Sequence, residues 1–391
     1  MAALLLAVGV LVAAFVGYNI GGSSTGVAFG PAVGSTVVTK LGAAALMSVF
    51  ALLGGWTIGR GVIHTMGGRI VPSSEFTLPA SVGVLFFVGV ALLISNRYGV
   101  PASTSMTAVG SIAGLGAATG TLRMATMGRI VSAWVVAPVL AFWICAVVGR
   151  YAYPYMDAVF RLDAADAPLF RWREGRVAYP VGVNPAASRR QFVGSGLVVA
   201  IGCYMAFSAG ASNVANAVAP LVGGGYVGSS AGVLLAAAAI AVGAFTIARR
   251  TLDTVGNDLT DLPLLAALIV EAVSASLITV LSALGIPASL AVSATMCIVG
   301  LGWGRATRTV RANDALSGEG ETTVSMGSLA ADRADDPSDV PRIGEEDPEE
   351  LAAADLFDPT AVGRVVILWV LTPSVAAAAS FALFSLVPLA E

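Results

Sequence analysis

Ten apolar runs, most of them about as long as a membrane crossing, organise the chain, with limits near 2–36, 40–59, 78–96, 100–119, 130–149, 192–222, 228–248, 262–284, 287–304 and 362–388. Stretches such as Leu41 to Trp56, Ala80 to Asn96 and Ser229 to Ala248 contain no ionised side chain. A helix needs about 20 such residues to cross a hydrocarbon core of roughly 30 Å. The pattern therefore predicts an all-α polytopic membrane protein. Two polar stretches divide the runs into a first membrane repeat over 1–150, a cytoplasmic linker over 151–191 and a second repeat over 192–304. An acidic loop over 305–361 follows, and a last membrane segment over 362–391. The opening run has no basic start and continues past Gly30 without a cleavage site, so it is taken as the first membrane segment rather than a leader.

Composition strengthens this picture. Hydrophobic residues make up 57% of the 391 and charged residues only 12%, against about 25% charged in soluble domains. The basic residues set an orientation. With the N-terminus outside, the inside loops hold Lys40, Arg97, the group Arg150 to Arg190, Arg249, Arg250, Arg305, Arg308 and Arg311. The outside loops hold only Arg60, Arg69, Arg123 and Arg129. Both termini are expected outside. The loop carrying Glu345, Glu346, Asp347, Glu349 and Glu350 has the composition of a disordered cytoplasmic segment.

Several function classes lack their residues. Cys145, Cys203 and Cys297 show no paired spacing, so neither a disulfide framework nor a zinc site is indicated. One histidine, His64, does not make a metal site and is expected just outside the second segment. No phosphate-cradling Gly-Lys-Ser/Thr loop and no nucleophile paired with histidine is present. An enzyme, an ATP-driven pump and a nucleic-acid partner are thus not expected.

The chain also repeats itself. Gly17-Tyr-Asn-Ile-Gly-Gly-Ser-Ser answers Gly210-Ala-Ser-Asn-Val-Ala-Asn-Ala, at an offset of 193 residues. Thr65-Met-Gly-Gly-Arg-Ile-Val answers Thr254-Val-Gly-Asn-Asp-Leu-Thr at 189, and Tyr98-Gly-Val-Pro-Ala-Ser answers Leu284-Gly-Ile-Pro-Ala-Ser at 186. Five segments per copy is an odd number, so the second copy is expected to enter the membrane inverted, as in many secondary transporters.

Each copy holds two expected helix breaks. The first lies near Gly17 to Gly22 and near Gly210 to Asn216, where Asn19, Ser23, Asn213 and Asn216 offer polar groups. A break at that depth is tolerated only inside protein or around a wet cavity; close helix packing through small residues is the alternative. The second lies at Pro101 and Pro287, each expected in the first turn of a new helix. Ser103, Thr104 and Ser289 follow beside the free N–H groups of that turn. Two helix N-termini facing one another make an anion site. Glu271 lies well inside an apolar run and marks a functional position by default. Its open roles are holding a coupling cation or proton, and standing as a neutral structural group.

These residues resemble the inorganic phosphate transporter (PiT) family of sodium- or proton-coupled symporters. That family carries Gly-Ala-Asn-Asp-Val-Ala-Asn-Ala near the start of each half and Pro-Val-Ser-Thr-Thr-His further on. Gly210 to Ala217 followed by Pro220-Leu221 is a near match, as is the stretch from Thr254-Val255-Gly256 through Gly285-Ile286-Pro287 to Gly300-Leu301-Gly302. The resemblance covers most of residues 5–305 and, more loosely, the final segment. It implies an inverted-repeat fold with broken or re-entrant helices and alternating access. It assigns substrate contact to Asn19, Ser103, Thr104, Asn213, Asn216 and Ser289. The candidates for ion coupling, named from their place in the apolar runs and not by the resemblance, are Glu271 and Ser23, with sodium or a proton as the coupling ion. The expected partners are phosphate or sulfate and the lipid bilayer, with a homo-oligomer left open.

The departures bear on the substrate. The family's aspartate corresponds to Ile20 and Asn213, and its histidine to Met106 and Val292. Sodium prefers hard anionic oxygens, so coupling through these positions is weakened. A carboxylate only accepts hydrogen bonds, which suits monohydrogen phosphate with its O–H and not sulfate. Asn213 donates to either. A phosphate permease is the leading expectation, with a sulfate permease, a transport-dead anion sensor and a passive channel as alternatives.

Overall fold

The computed structural model describes residues 2–98, 103–160, 170–173, 179–183, 189–248, 262–309, 338, 340–343 and 359–386. Each apolar run is a helix: α1 (Ala2–Gly34), α2 (Lys40–Thr57), α4 (Leu78–Tyr98), α5 (Thr104–Thr119), α6 (Met124–Val147), α8 (Arg189–Gly223), α9 (Ser229–Thr246), α10 (Leu264–Ala283), α11 (Leu290–Ala306) and α12 (Pro359–Leu386). Two shorter helices, α3 (Gly59–Met66) and α7 (Tyr153–Phe160), extend α2 and α6, the latter through a π-helical turn at Val148–Ala152. An antiparallel hairpin of β1 (Phe170–Arg173) and β2 (Tyr179–Val183) lies between α7 and α8. The repeat copy at 254–260, the prolyl residue Pro101 and the acidic run 345–350 lie outside the described residues.

Among the described residues, seven helices are long and apolar enough to cross a membrane, namely α1, α2, the α6–α7 rod, α8, α9, α10 and α12. By contrast, α5 and α11 have 16 and 17 residues. At 1.5 Å per residue they reach only about 25 Å, short of a full hydrocarbon core.

The expected break at Gly17 to Gly22 is absent: α1 runs unbroken for 33 residues and α8 for 35. Glycine here does another job. A Cβ on Gly21 would collide with the Ile240 carbonyl, and one on Gly210 with the Ala51 carbonyl. Likewise, a Cβ on Gly54 would strike the Phe207 carbonyl and one on Gly243 the Tyr18 carbonyl. Small residues let these backbones touch, which is how helices associate without a hydrophobic driving force between them. On α1 the hydroxyls of this segment are satisfied within the helix, as Thr25 Oγ1 donates to the Gly21 carbonyl at 2.7 Å.

The packing of the two halves is reciprocal. Helix α2 of the first half packs on α8 of the second, and α9 on α1. In the same way α12 packs on α5 and α11 on α6. Gly114 of α5 abuts the Ala377 carbonyl, and Gly300 of α11 the Phe142 carbonyl. These contacts also correct the register of the repeat. Gly21 and Gly210, Gly54 and Gly243, and the helix-interior prolines Pro31 and Pro220 are all 189 residues apart. The first-half counterpart of Gly210 is therefore Gly21 and not Gly17. The later prolines, Pro138 of α6 and Pro373 of α12, stand 235 apart because the 305–361 loop intervenes.

Two arginines expected in a loop belong to the body. Arg305 ends α11 and is buried, and Arg308 donates to the carbonyls of Arg150 and Pro341, both at 2.7 Å.

Candidate anion site

The two short helices begin alike. Ser103 and Ser289 are extended N-caps whose Oγ atoms accept from the N–H of Met106 and Val292, each at 3.3 Å. Serine is favoured there because it satisfies a first-turn donor that has no intrahelical partner. Pro287 thus stands two residues before its cap and not in the first turn as expected. Its part is to hold the preceding residue extended. Gly285 makes the reversal after α10 in the left-handed region, at φ 71°, with the Ile286 N–H returning to the Leu281 carbonyl at 2.8 Å.

Helix α8 joins the two starts. Ser212 Oγ lies 3.2 Å from Ser105 Oγ, in the first turn of α5, and donates to the carbonyl of Ala288 at 2.9 Å, immediately before the α11 cap. Asn216, one turn on, donates through Nδ2 to Ser105 Oγ at 3.1 Å and to Asn213 Oδ1 at 3.0 Å. Ser105, Ser212, Asn213 and Asn216 are all buried. Asn216 Oδ1 is buried with no partner among the described residues. One turn earlier, Ser208 Oγ donates to the Ala275 carbonyl at 3.0 Å, which ties α8 to α10. The site therefore combines two helix N-termini with neutral hydroxyl and amide groups. Partial positive charge at both termini and polar hydrogens around them suit an anion.

The expected residues divide into two sets. Ser103, Ser289, Asn213 and Asn216 are brought together by way of Ser105 and Ser212. Thr104 is half-buried at the start of α5. On α1, Asn19 Nδ2 donates to the Phe15 carbonyl at 2.9 Å, and Ser23 Oγ lies 3.2 Å from the carbonyls of Asn19 and Ile20. Glu271 is buried on α10, one turn before Ala275, and its Oε1 has no partner among the described residues. With the corrected register, the first-half counterpart of Asn213 is Ser24 and that of Asn216 is Val27. Ile20, matched above to the aspartate position, is instead a fully buried core residue.

Sequence reasoning passed over Ser105 and Ser212, although Ser208, Ser212 and Asn216 recur every fourth residue, the spacing of one helix face. It also passed over two tryptophans. Trp134 of α6 and Trp369 of α12 are 235 residues apart, the same interval as Pro138 and Pro373. Both pack into a cluster with Met106 and Val292, in the first turns of α5 and α11. Trp134 Nε1 donates to the Pro287 carbonyl at 2.8 Å.

Comparison with known proteins agrees with this architecture. Residues 20–380 match the family described as the phosphate transporter family. The sulfate permease CysP of Bacillus subtilis is 31% identical over 294 residues, covering 75% of this chain and 76% of that protein. A protein of Pyrococcus abyssi named "Putative phosphate permease" is 22% identical, covering 75% of this chain and 87% of its own. The solved structure of "The sodium-dependent phosphate transporter" shares the fold, with a TM-score of 0.63 at 19% identity over 99% of this chain and 100% of that one. The chain is a multi-pass membrane protein that belongs to the phosphate transporter family.

Proposed function

We propose that this protein is a secondary permease for an inorganic tetrahedral oxyanion, and that sulfate is the anion its site favours. The observation that carries the reading is Ser212, which touches the start of α5 and the start of α11 at once. Two helix N-termini aimed at one place favour negative charge without any cationic side chain. Around them, the amide N–H groups of Asn213 offer donors to an oxyanion, while the hydrogens of Ser105, Ser212 and Asn216 hold the polar cluster and the Ala288 carbonyl in place. Asn213 stands where the family's motif has aspartate, so no carboxylate there repels a fully ionised anion or demands an O–H from it. The 31% identity to a sulfate permease supports the same choice.

Phosphate is the second reading, favoured by the family description and by the Pyrococcus relative's name. The buried Asn216 Oδ1 gives it a specific handle, because monohydrogen phosphate carries an O–H to donate there. The proposal is completed by alternating access between two halves inserted in opposite senses, with both termini outside and a sodium or proton gradient as the driving force. Five segments per half, reciprocal packing and the basic-residue distribution support it.

Uptake of labelled sulfate and phosphate into proteoliposomes, with and without sodium and proton gradients, tests the reading. Sulfate uptake that excess phosphate does not suppress is expected. Phosphate uptake alone would select the second reading, and binding without uptake of either would make the chain an anion sensor.

A further inference from the structure

We infer that the indole N–H of Trp369 is a direct hydrogen-bond donor to the transported oxyanion, an inference that rests on the oxyanion reading above. Trp369 is 7% exposed, and its Nε1 is buried with no hydrogen-bond partner among the described residues. Tryptophan has one polar hydrogen and accepts nothing. Buried donors of this kind are almost always bonded, so an open one points to a group that comes and goes. Its place is specific. Trp369 shares a small buried cluster with Met106 and Val292, each three residues after the N-caps Ser103 and Ser289. That cluster joins the first turns of the two short helices, where free N–H groups and the positive dipole ends favour an anion, and the Trp369 helix packs on α5. Met106 is the chain neighbour of Ser105, whose hydroxyl meets Ser212 and Asn216.

The comparison within the molecule sharpens the point. Trp134, at the corresponding position of the first half, packs on the same cluster but has its N–H committed to the Pro287 carbonyl at 2.8 Å. Equivalent side chains occupy equivalent places, and one donor is closed by backbone while the other has no partner among the described residues. The open one gives the anion a neutral donor. Because sulfate and phosphate both accept from an indole N–H, Trp369 contributes affinity to either and leaves the choice between them to Asn213.

Equilibrium binding of sulfate and phosphate to the purified full chain tests the assignment. Removing one hydrogen bond to a charged group corresponds to a loss of about tenfold or more in affinity. Trp369→Phe is expected to show that loss with an unchanged melting temperature, and Trp369→His, which keeps a ring N–H, to recover part of it. Unchanged affinity in Trp369→Phe overturns the inference and leaves the oxyanion reading standing. A wild-type chain that binds neither anion overturns both. Should the variants fail to fold, the wild-type protein with nitrogen-15-labelled indoles decides. Sulfate is expected to move one indole N–H resonance downfield, and no movement of any of the six overturns the assignment.

Discussion

Helices α1 and α8 carry prolines in the same register, Pro31 and Pro220, and the same glycine contact to the opposite half, through Gly21 and Gly210. Their polar groups go to different places. On α8, Ser208, Ser212 and Asn216 reach across to α10, to the α11 start and to α5. On α1, Ser23 and Thr25 bond the carbonyls of their own helix, and Val27 stands where α8 has Asn216. The packing of the two halves is thus alike, while the polar contacts to other helices sit on α8. A site between related halves need not be symmetric. Here the second half supplies the central helix and the first half supplies the helix start that faces it.

The comparison breaks most visibly at the glycines. Gly210→Ala and Gly21→Ala each force a methyl into a carbonyl of the facing helix. Both are expected to cost about 3 kcal/mol or more and to lose monodisperse protein in detergent. Gly128→Ala, with open space around its Cβ position, should change stability by no more than about 0.5 kcal/mol. Unequal effects at Gly21 and Gly210 would show that the halves do not share a scaffold.

Next in size is Asn216→Leu, which removes the bonds to Ser105 and Asn213. Anion uptake should fall about tenfold or more, with the protein still folded. Ser212→Ala is expected to lower uptake by about fivefold, since a neutral hydrogen bond contributes about 1 kcal/mol. Ser23→Ala, its counterpart on α1, should leave uptake within about twofold, because its hydroxyl bonds only its own helix. Equal losses in the two serine variants would erase the asymmetry. The caps come last: Ser289→Ala should lower stability by about 1 kcal/mol in thermal melts.

Much of this was legible in the chain. Hydropathy placed all ten helices within a few residues at most ends, because a membrane span is a long and compositionally simple signal. Helix starts near Ser103 and Ser289 are legible in the chain, but Pro287 lies two residues ahead of its cap and not in the first turn as expected. Glycine misled at Gly17 to Gly22, since the same residue serves a broken helix and a close helix contact, and only the facing backbone distinguishes them. The register slipped by one turn for a related reason. Gly17 and Gly21 lie four residues apart on one face, so a glycine match does not say which of them pairs with Gly210. Ser105 and Ser212 were passed over because their importance lies in a contact between residues 107 positions apart. Trp369 was hidden in the same way, in a segment that follows a long polar loop.

The measurement that bears most directly on the account is the ratio of sulfate to phosphate uptake in Asn213→Asp beside wild type, in matched proteoliposomes. Restoring a carboxylate between the helix starts should repel sulfate and accept the O–H of monohydrogen phosphate, lowering the ratio at least about tenfold. An unchanged ratio would contradict the claim that the anion is chosen where α5, α8 and α11 meet.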